Sequence, residues 1–528
     1  MRRRDLIATA LTAPIGAAPF VARSARARPT NVLRFIPQSD LATLDPMFTT
    51  ASVTRCHGLM VFDTLYGMDN AYRANPQMVA GHVVSEDARR WDLTLREGLR
   101  FHDGSPVLAR DAVASIQRWW KRDAFGAVLA SRTDEISAVS DSVIRFRLNK
   151  PFALLPDALA VIISVPVILP ERLARTDPFK QVTEMIGSGP FRFRADERVP
   201  GSRVVYERFD GYVPRPDGRA EFASGPKAVH FDRVEWTVVP DPATAAGAMA
   251  SGEFDWWENP ALDLVPALKR SPNLTVAVQD HTSANGIMRF NQLFPPFDNP
   301  EIRRLVVSAV DQKAFMEAVA GGVPELTRDH VGLFVPGTDF ASEAGPEKVG
   351  SVKDPATLKG ALTQAGYGGE TIVVLTAADS PTQNALAQVG GDMLRRMGFN
   401  VDLQSLDWGT VQQRRASKET VGKGGWHIFF TFQTSTQNIT PAAATSLRAD
   451  GKGWYGWPVD PIMEQLREAW FDAPDLASQQ RISRDMQTQF FRNPSYAPLG
   501  LYFQPTAFQN GLRDIRQGLP QFYGVRRG

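Results

Sequence analysis

FNQLFPPFDNPEIRRLVVSAVDQKAFMEAVA, residues 290–320, is the stretch on which the fold turns. Pro295 and Pro296 remove two amide donors and hold the chain extended. Asn299 precedes Pro300, which pairs an N-cap side chain with proline at the first helical position, so a helix begins at about Pro300. Ile302, Leu305, Val306, Ala309 and Val310 recur at three- and four-residue spacing, which buries one stripe and turns Glu301, Arg303, Arg304 and Ser308 toward water. On residue chemistry alone this is an extended crossing followed by a capped amphipathic helix.

Beyond it the chain alternates. Thr371 to Thr376 reads as a strand and Gln383 to Met397 as a helix with Leu386, Val389, Met393 and Met397 on one face. Gly398 is a natural helix stop, and Phe399 to Leu406 is the next strand. Such a βαβ unit implies parallel strands with a right-handed crossover, and places ligand chemistry past the strand C-termini, near Ala377, Asp407 and Trp408. Trp426 to Phe432 is a further strand ending at Gln433-Thr434-Ser435.

Before it the signals are short alternating strands: Val32–Phe35, Trp91–Arg96 and Val143–Leu148. Asp103-Gly104 makes a tight turn, and Asp111 precedes an amphipathic helix carrying Ala112, Val113, Ile116, Trp119 and Trp120. His102, beside Asp103, reads as a histidine held by hydrogen bonds in a turn rather than as a catalytic group. In Gly187-Ser188-Gly189-Pro190 the glycines supply backbone angles closed to other residues. No Lys-Ser/Thr follows them, so this is no phosphate cradle. Val229–Val239 is strand-like and leads to a small-residue helix from Pro242 and then to Gly252-Glu253-Phe254-Asp255-Trp256-Trp257-Glu258. One of the two tryptophans, Trp257, is expected to face a cleft. The loop from Pro214 to Pro226 is punctuated by Gly and Pro and suggests no function.

With 528 residues, 43% of them hydrophobic, the chain can build two or three domains without disulfides or metal. Residues 1–27 read as an export signal. Arg2, Arg3 and Arg4 precede an apolar run from Leu6 to Val21, broken by Pro14, Gly16 and Pro19, and Ala25-Arg26-Ala27 is a small-x-small cleavage site. Arg3-Arg4-Asp5-Leu6-Ile7 fits a twin-arginine pattern and equally an ordinary basic n-region. Without this segment Lys+Arg falls from 59 to 54 and Asp+Glu from 57 to 56, so the formal charge moves from +2 to −2. No basic run remains to track phosphates, so nucleic acid is not an expected partner. The single Cys56 has no disulfide partner within the chain.

The seven histidines include no i,i+4 pair and no cluster at metal-ligand spacing, so neither a protein-only metal site nor any other cofactor is expected. G-x-S-x-G, GxxxxGK[ST] and a GxGxxG after a strand are all missing.

Several blocks resemble one family. The opening from Asn291 through PPFDNPEIR to Ala309-Val310-Asp311-Gln312-Lys313 resembles the N…PFDDxRVRxAxxxAIDR signature of the dipeptide, oligopeptide and nickel solute-binding family of ABC importers. WDLTLREGLRFHDGSPVLARDAVASIQRW, residues 91–119, resembles its YTFxLRxGVKFHDGxPxTAxDVxxS block and is the most specific match. Gly187–Phe193 resembles its GTGPY/F turn, and Pro498–Pro505 its return stretch, so the resemblance runs from about residue 32 to the C-terminus. It implies an α/β, two-lobed periplasmic binding protein of the large cluster, with two hinge crossings. The first lobe would hold 28–283 and 496–528 with an inserted subdomain at about 50–180, and the second 284–495.

The function this implies is that of an exported, unanchored, monomeric component that closes over a small polar or short-peptide ligand and delivers it to an ABC permease, without catalysis. Expected ligand contacts are Thr50, Trp257, Trp408, Gln433, Thr434 and Tyr502, the aromatics for area and the hydroxyls and amide for orientation. Peptide-binding members carry an aspartate after a second-lobe strand to hold the ligand's amino group. Residues 433–446, QTSTQNITPAAATS, hold no acid, which favours a hydroxyl- or amide-rich ligand over an ordinary dipeptide. Two other classes stay open on the sequence: a periplasmic hydrolase, and an interaction protein of chaperone or sensor type.

Overall fold

The computed structural model describes residues 31–282, 284–321 and 323–528. The expected export signal, 1–27, lies outside the described residues. Two mixed sheets form the two lobes. The first runs in the order Leu274–Val278, Pro505–Gln509, Trp256–Trp257, Val32–Ile36, Arg233–Thr237, Arg203–Arg208, Phe191–Phe193. Its centre is an aromatic cluster, in which Phe35 meets Trp256 and Phe522 edge-on at centroid separations of 5.2 and 4.9 Å. The second sheet runs Thr327–Arg328, Tyr496–Tyr502, Ala284–Phe290, Ile428–Thr434, Thr371–Ala377, Asn400–Leu406. A smaller antiparallel sheet, Val79–Val84, Arg90–Leu95, Val143–Leu148, Thr133–Ala138, stands in the inserted part of the first lobe.

The βαβ unit is present as read. Thr371–Ala377 pairs in parallel with Asn400–Leu406, and the helix between them, Pro381–Met397, ends at Gly398 in the left-handed region. Pro300–Ala309 is a helix whose N-cap, Asn299, accepts the N–H of Glu301 at 2.8 Å. Arg303 departs from the expectation. It is buried, donating to the carbonyls of Phe297 (2.5 Å), Asp298 (3.0 Å) and Pro494 (2.8 Å) and to the side chain of Asn493. The chain on either side of the helix leaves carbonyls without partners, and a five-donor guanidinium satisfies several at once.

Three further readings change. Tyr496–Tyr502 pairs with Ala284–Phe290, so it belongs to the second sheet, and the chain returns to the first lobe at Phe503–Gln504 rather than at 496. Asp111 sits in the first turn of Ala109–Trp119 rather than before it, accepting the N–H of Leu108 at 2.8 Å. Gly187 and Gly189 are needed for proximity, not for unusual angles. A Cβ on Gly187 would lie 1.9 Å from the carbonyl oxygen of Val61, at the end of the buried helix Ser52–Val61. No helix among the described residues is long and apolar enough to cross a membrane.

Candidate functional site

Two segments join the lobes, and they run side by side. Val278 pairs with Pro505 at strand ends of the first sheet and Ala284 with Tyr502 at strand ends of the second. A pocket of about 160 Å³ opens where they cross. Ala284 is the cross-strand partner of both Thr434 and Tyr502, so the second lobe presents these three abreast. The first lobe contributes Gln38, Arg55, Trp256, Glu258 and Asp280.

Parallel pairing places two of these. Val32–Ile36 and Trp256–Trp257 run in the same direction, so the residues just past their C-terminal ends emerge together. Glu258 donates its N–H to the Ile36 carbonyl at 2.9 Å and accepts the N–H of Gln38 on Oε2 at 2.8 Å. Glu258 is only 6% exposed, and burial pushes its carboxyl up to about 7, against the pull of the Gln38 N–H and the Arg55 charge.

Arg55 lies in the buried helix Ser52–Val61, donating from Nη2 to the Ser52 hydroxyl (2.7 Å) and from Nη1 to the Ile162 carbonyl (3.3 Å). Burial lowers its pKa, while Cys56, Asp280 and Glu258 work the other way. Asp280 accepts the N–H and hydroxyl of Thr282 at 3.0 and 2.7 Å. Tyr502 packs edge-on against Phe432 at 4.9 Å, and burial raises its hydroxyl to about 12. Two acids and one cation thus share a small, largely buried space.

Of the residues expected from sequence, the structure brings Thr434 and Tyr502 together here and puts the others elsewhere. Thr50 borders an adjoining cavity of about 510 Å³ between the lobes, opposite Gln437 and Trp454. Strand alternation turns Trp256 to the pocket and Trp257 into an apolar cluster with Ile36, Met249 and Leu268. The same alternation separates Thr434 from Gln433, which is buried opposite Asn285. Trp408 is at the far edge of the second sheet, its N–H held by Asp379 and its ring under Arg415, while Asp407 caps the helix Trp408–Arg414. The strand C-termini that border the pocket belong to the first lobe, not to the βαβ unit of the second.

Arg55, Asp280 and Gln38 escaped the sequence reading. One signal was available for Arg55: it is the single Lys, Arg, Asp or Glu between Pro46 and Phe62, and a lone charge in such a run is rarely buried without a role.

The sequence pattern of the bacterial extracellular solute-binding proteins, family 5 Middle, matches residues 73–454, more than half of the chain. The chain belongs to this family. As a family 5 solute-binding protein it is the solute-capturing component of an ABC importer. It is 36% identical, over 99% of both chains, to the probable peptide ABC transporter periplasmic-binding protein y4tO of Sinorhizobium fredii. The solved structure of the binding protein AgaA of A. tumefaciens with agropinic acid superposes with a TM-score of 0.76 at 20% identity, covering 94% of this chain and 99% of that one. DppA of Helicobacter pylori, in complex with the peptide STSA, gives 0.77 at 18% identity, covering 94% and 98%. At such identities these two structures speak for the two-lobed family 5 fold.

Proposed function

We propose that this protein captures an ammonium-bearing solute, a short peptide or peptide-like zwitterion, between its lobes and hands it unaltered to an inner-membrane permease. The convergence of Glu258 and Asp280 with Arg55 on one inter-lobe pocket carries this reading. Two carboxylates against one guanidinium favour a cation, and Arg55 offers a donor to a ligand oxygen. The 36% identical relative named as a probable peptide-binding protein points the same way. The acid-free stretch 433–446 then does not exclude dipeptides, because the first lobe supplies the acids. Thr434 and Tyr502 orient the ligand from the second lobe.

Closure follows from differential contact. A ligand touching both lobes only in the closed form shifts the open–closed equilibrium by its binding free energy. In this reading the mature protein begins near Arg28, is free in the periplasm and acts as a monomer, which N-terminal sequencing and light scattering of the periplasmic fraction check.

The test is calorimetry at pH 8 with trialanine and N-acetyl-trialanine against the native protein and Glu258→Gln. Trialanine binds the native protein, and removing either the ligand's amino charge or the Glu258 carboxylate weakens binding by about 2 kcal/mol or more. Equal affinity for the acetylated and free peptides, or any hydrolysis product, would overturn the reading.

A further inference from the structure

The polar pocket is too small to hold a whole ligand. Its roughly 160 Å³ is about five waters' worth at ~30 Å³ each, below the ~300–1,000 Å³ of ordinary ligand sites. A second chamber of about 440 Å³ lies beside it, also between the lobes. Its walls are chemically different. Phe125, Leu154 and Ile162 of the first lobe face Phe340, Ile439 and Trp470 of the second.

Two residues stand between the spaces. Tyr72 borders the chamber, while its hydroxyl bonds Thr282 and Gln517 and feels the charge of Asp280, which borders the pocket. Tyr72 holds φ at 63°, in the left-handed region that a side-chain-bearing residue adopts only at a cost, so its ring placement is over-determined by its surroundings. Arg55 lines the pocket and donates to the carbonyl of Ile162, which lines the chamber. Cross-lobe charges flank the chamber. Arg73 pairs with Asp339 at 3.2 Å on one side, and Arg132 with Glu468 at 2.9 Å, two residues before Trp470, on another. Polar side chains also line it, Asp157, Thr436, Thr440 and Gln479 among them, and the Asp157 carboxylate takes the N–H of Ala74.

We infer that the ligand is amphipathic: a charged amino head held at Glu258 and Asp280, with Arg55 donating to a ligand oxygen, joined to a bulky apolar group that fills the chamber behind Tyr72. This rests on the polar pocket being the head-group site. Because both lobes build the chamber walls, the apolar group makes its full contact only on closure, so the chamber sets specificity and also favours the closed form. A solute without such a group would leave the chamber wet or empty and forfeit that contact.

The experiment compares alanyl-alanine, alanyl-leucine and alanyl-phenylalanine by calorimetry on the mature protein. Affinity rises roughly tenfold to a hundredfold from alanyl-alanine to the bulky peptides, the range expected for burying a large apolar side chain. Ala443→Trp, which fills the chamber from the second lobe, abolishes the advantage of alanyl-phenylalanine. Where circular dichroism shows that this variant does not fold, Ile439→Phe repeats the filling. Equal binding of all three dipeptides by the native protein overturns the inference and leaves the head-group site standing, whereas binding of none overturns both.

Discussion

Arg132, in the inserted part of the first lobe, is hydrogen-bonded across the cleft to Asp472 of the second. The same guanidinium reaches Glu468 at 2.9 Å, and Lys150 bonds both carboxylates at 2.9 and 3.0 Å. Arg132 is 2% exposed, whereas the two acids are 60% and 42% exposed, so solvent screens them and the cluster is worth far less than a fully buried pair. Arg132→Met removes a contact that bridges the two lobes. The expected result is a larger radius of gyration without ligand and affinity about 5- to 30-fold weaker, equivalent to ~1–2 kcal/mol. Solution scattering and calorimetry read the two effects, and an unchanged radius would show that the cluster does not hold the lobes together.

Glu258 should separate stability from binding. Its carboxyl titrates near 7 in the fold against 4.5 as a free side chain, so its folded form keeps a proton that the unfolded chain has lost between those values. Its stabilising share is therefore complete below 4.5 and disappears as the pH rises through 7. Glu258→Gln removes this dependence. Relative to the native protein, the variant gains on the order of 3 kcal/mol in stability between pH 4.5 and 8 while losing affinity for the ammonium ligand. Urea denaturation across pH checks the first half, and parallel pH profiles for the two proteins would contradict it.

His102 has the opposite sign. Its Nδ1 accepts the N–H of Gly187 at 3.3 Å and its Nε2 bonds the Gly189 carbonyl at 3.0 Å, an arrangement that needs the neutral ring protonated on Nε2. Burial lowers its pKa to about 4, so the unfolded chain protonates first as the pH falls through 6.5. Its contribution is full above 6.5 and is lost on going down through 4. His102→Asn therefore costs ~2 kcal/mol near pH 7.5. That penalty shrinks steadily toward pH 4, and a penalty independent of pH would show that the ring is not held neutral.

Gly187 tests close packing. With its Cβ position 1.9 Å from the Val61 carbonyl oxygen, Gly187→Ala must push the turn away from the helix Ser52–Val61 that carries Arg55. About 3 kcal/mol of stability is lost, and ligand affinity falls with it because Arg55 moves. Chemical denaturation with calorimetry measures both. A variant as stable as the native protein would mean that the turn relaxes freely.

Much of the architecture was legible because local patterns carry it. The alternation of Trp91–Leu95, the spacing of Leu386, Met393 and Met397 and the stop at Gly398 each follow from which neighbours a side chain must share a face with, and the chain forms the corresponding strand, helix and C-cap. Arg303 was misread for the complementary reason: its partners, from Phe297 to Pro494, come together only when two distant helix ends meet.

The sequence by itself determined that the chain alternates strands and helices and carries the motif blocks of a solute-binding protein; it read the crossing into the stretch from Phe290, whereas the lobes join between Val278 and Ala284. It could not say which of Trp256 and Trp257 faces the cleft, since that depends on which side of a two-residue strand the partner lobe occupies. Nor could it assemble Gln38, Arg55, Glu258 and Asp280, because two of them share a pocket through the parallel pairing of strands some 220 residues apart in sequence. Tertiary structure decided these, for the physical reason that burial is what brings distant charges together and shifts their proton affinities.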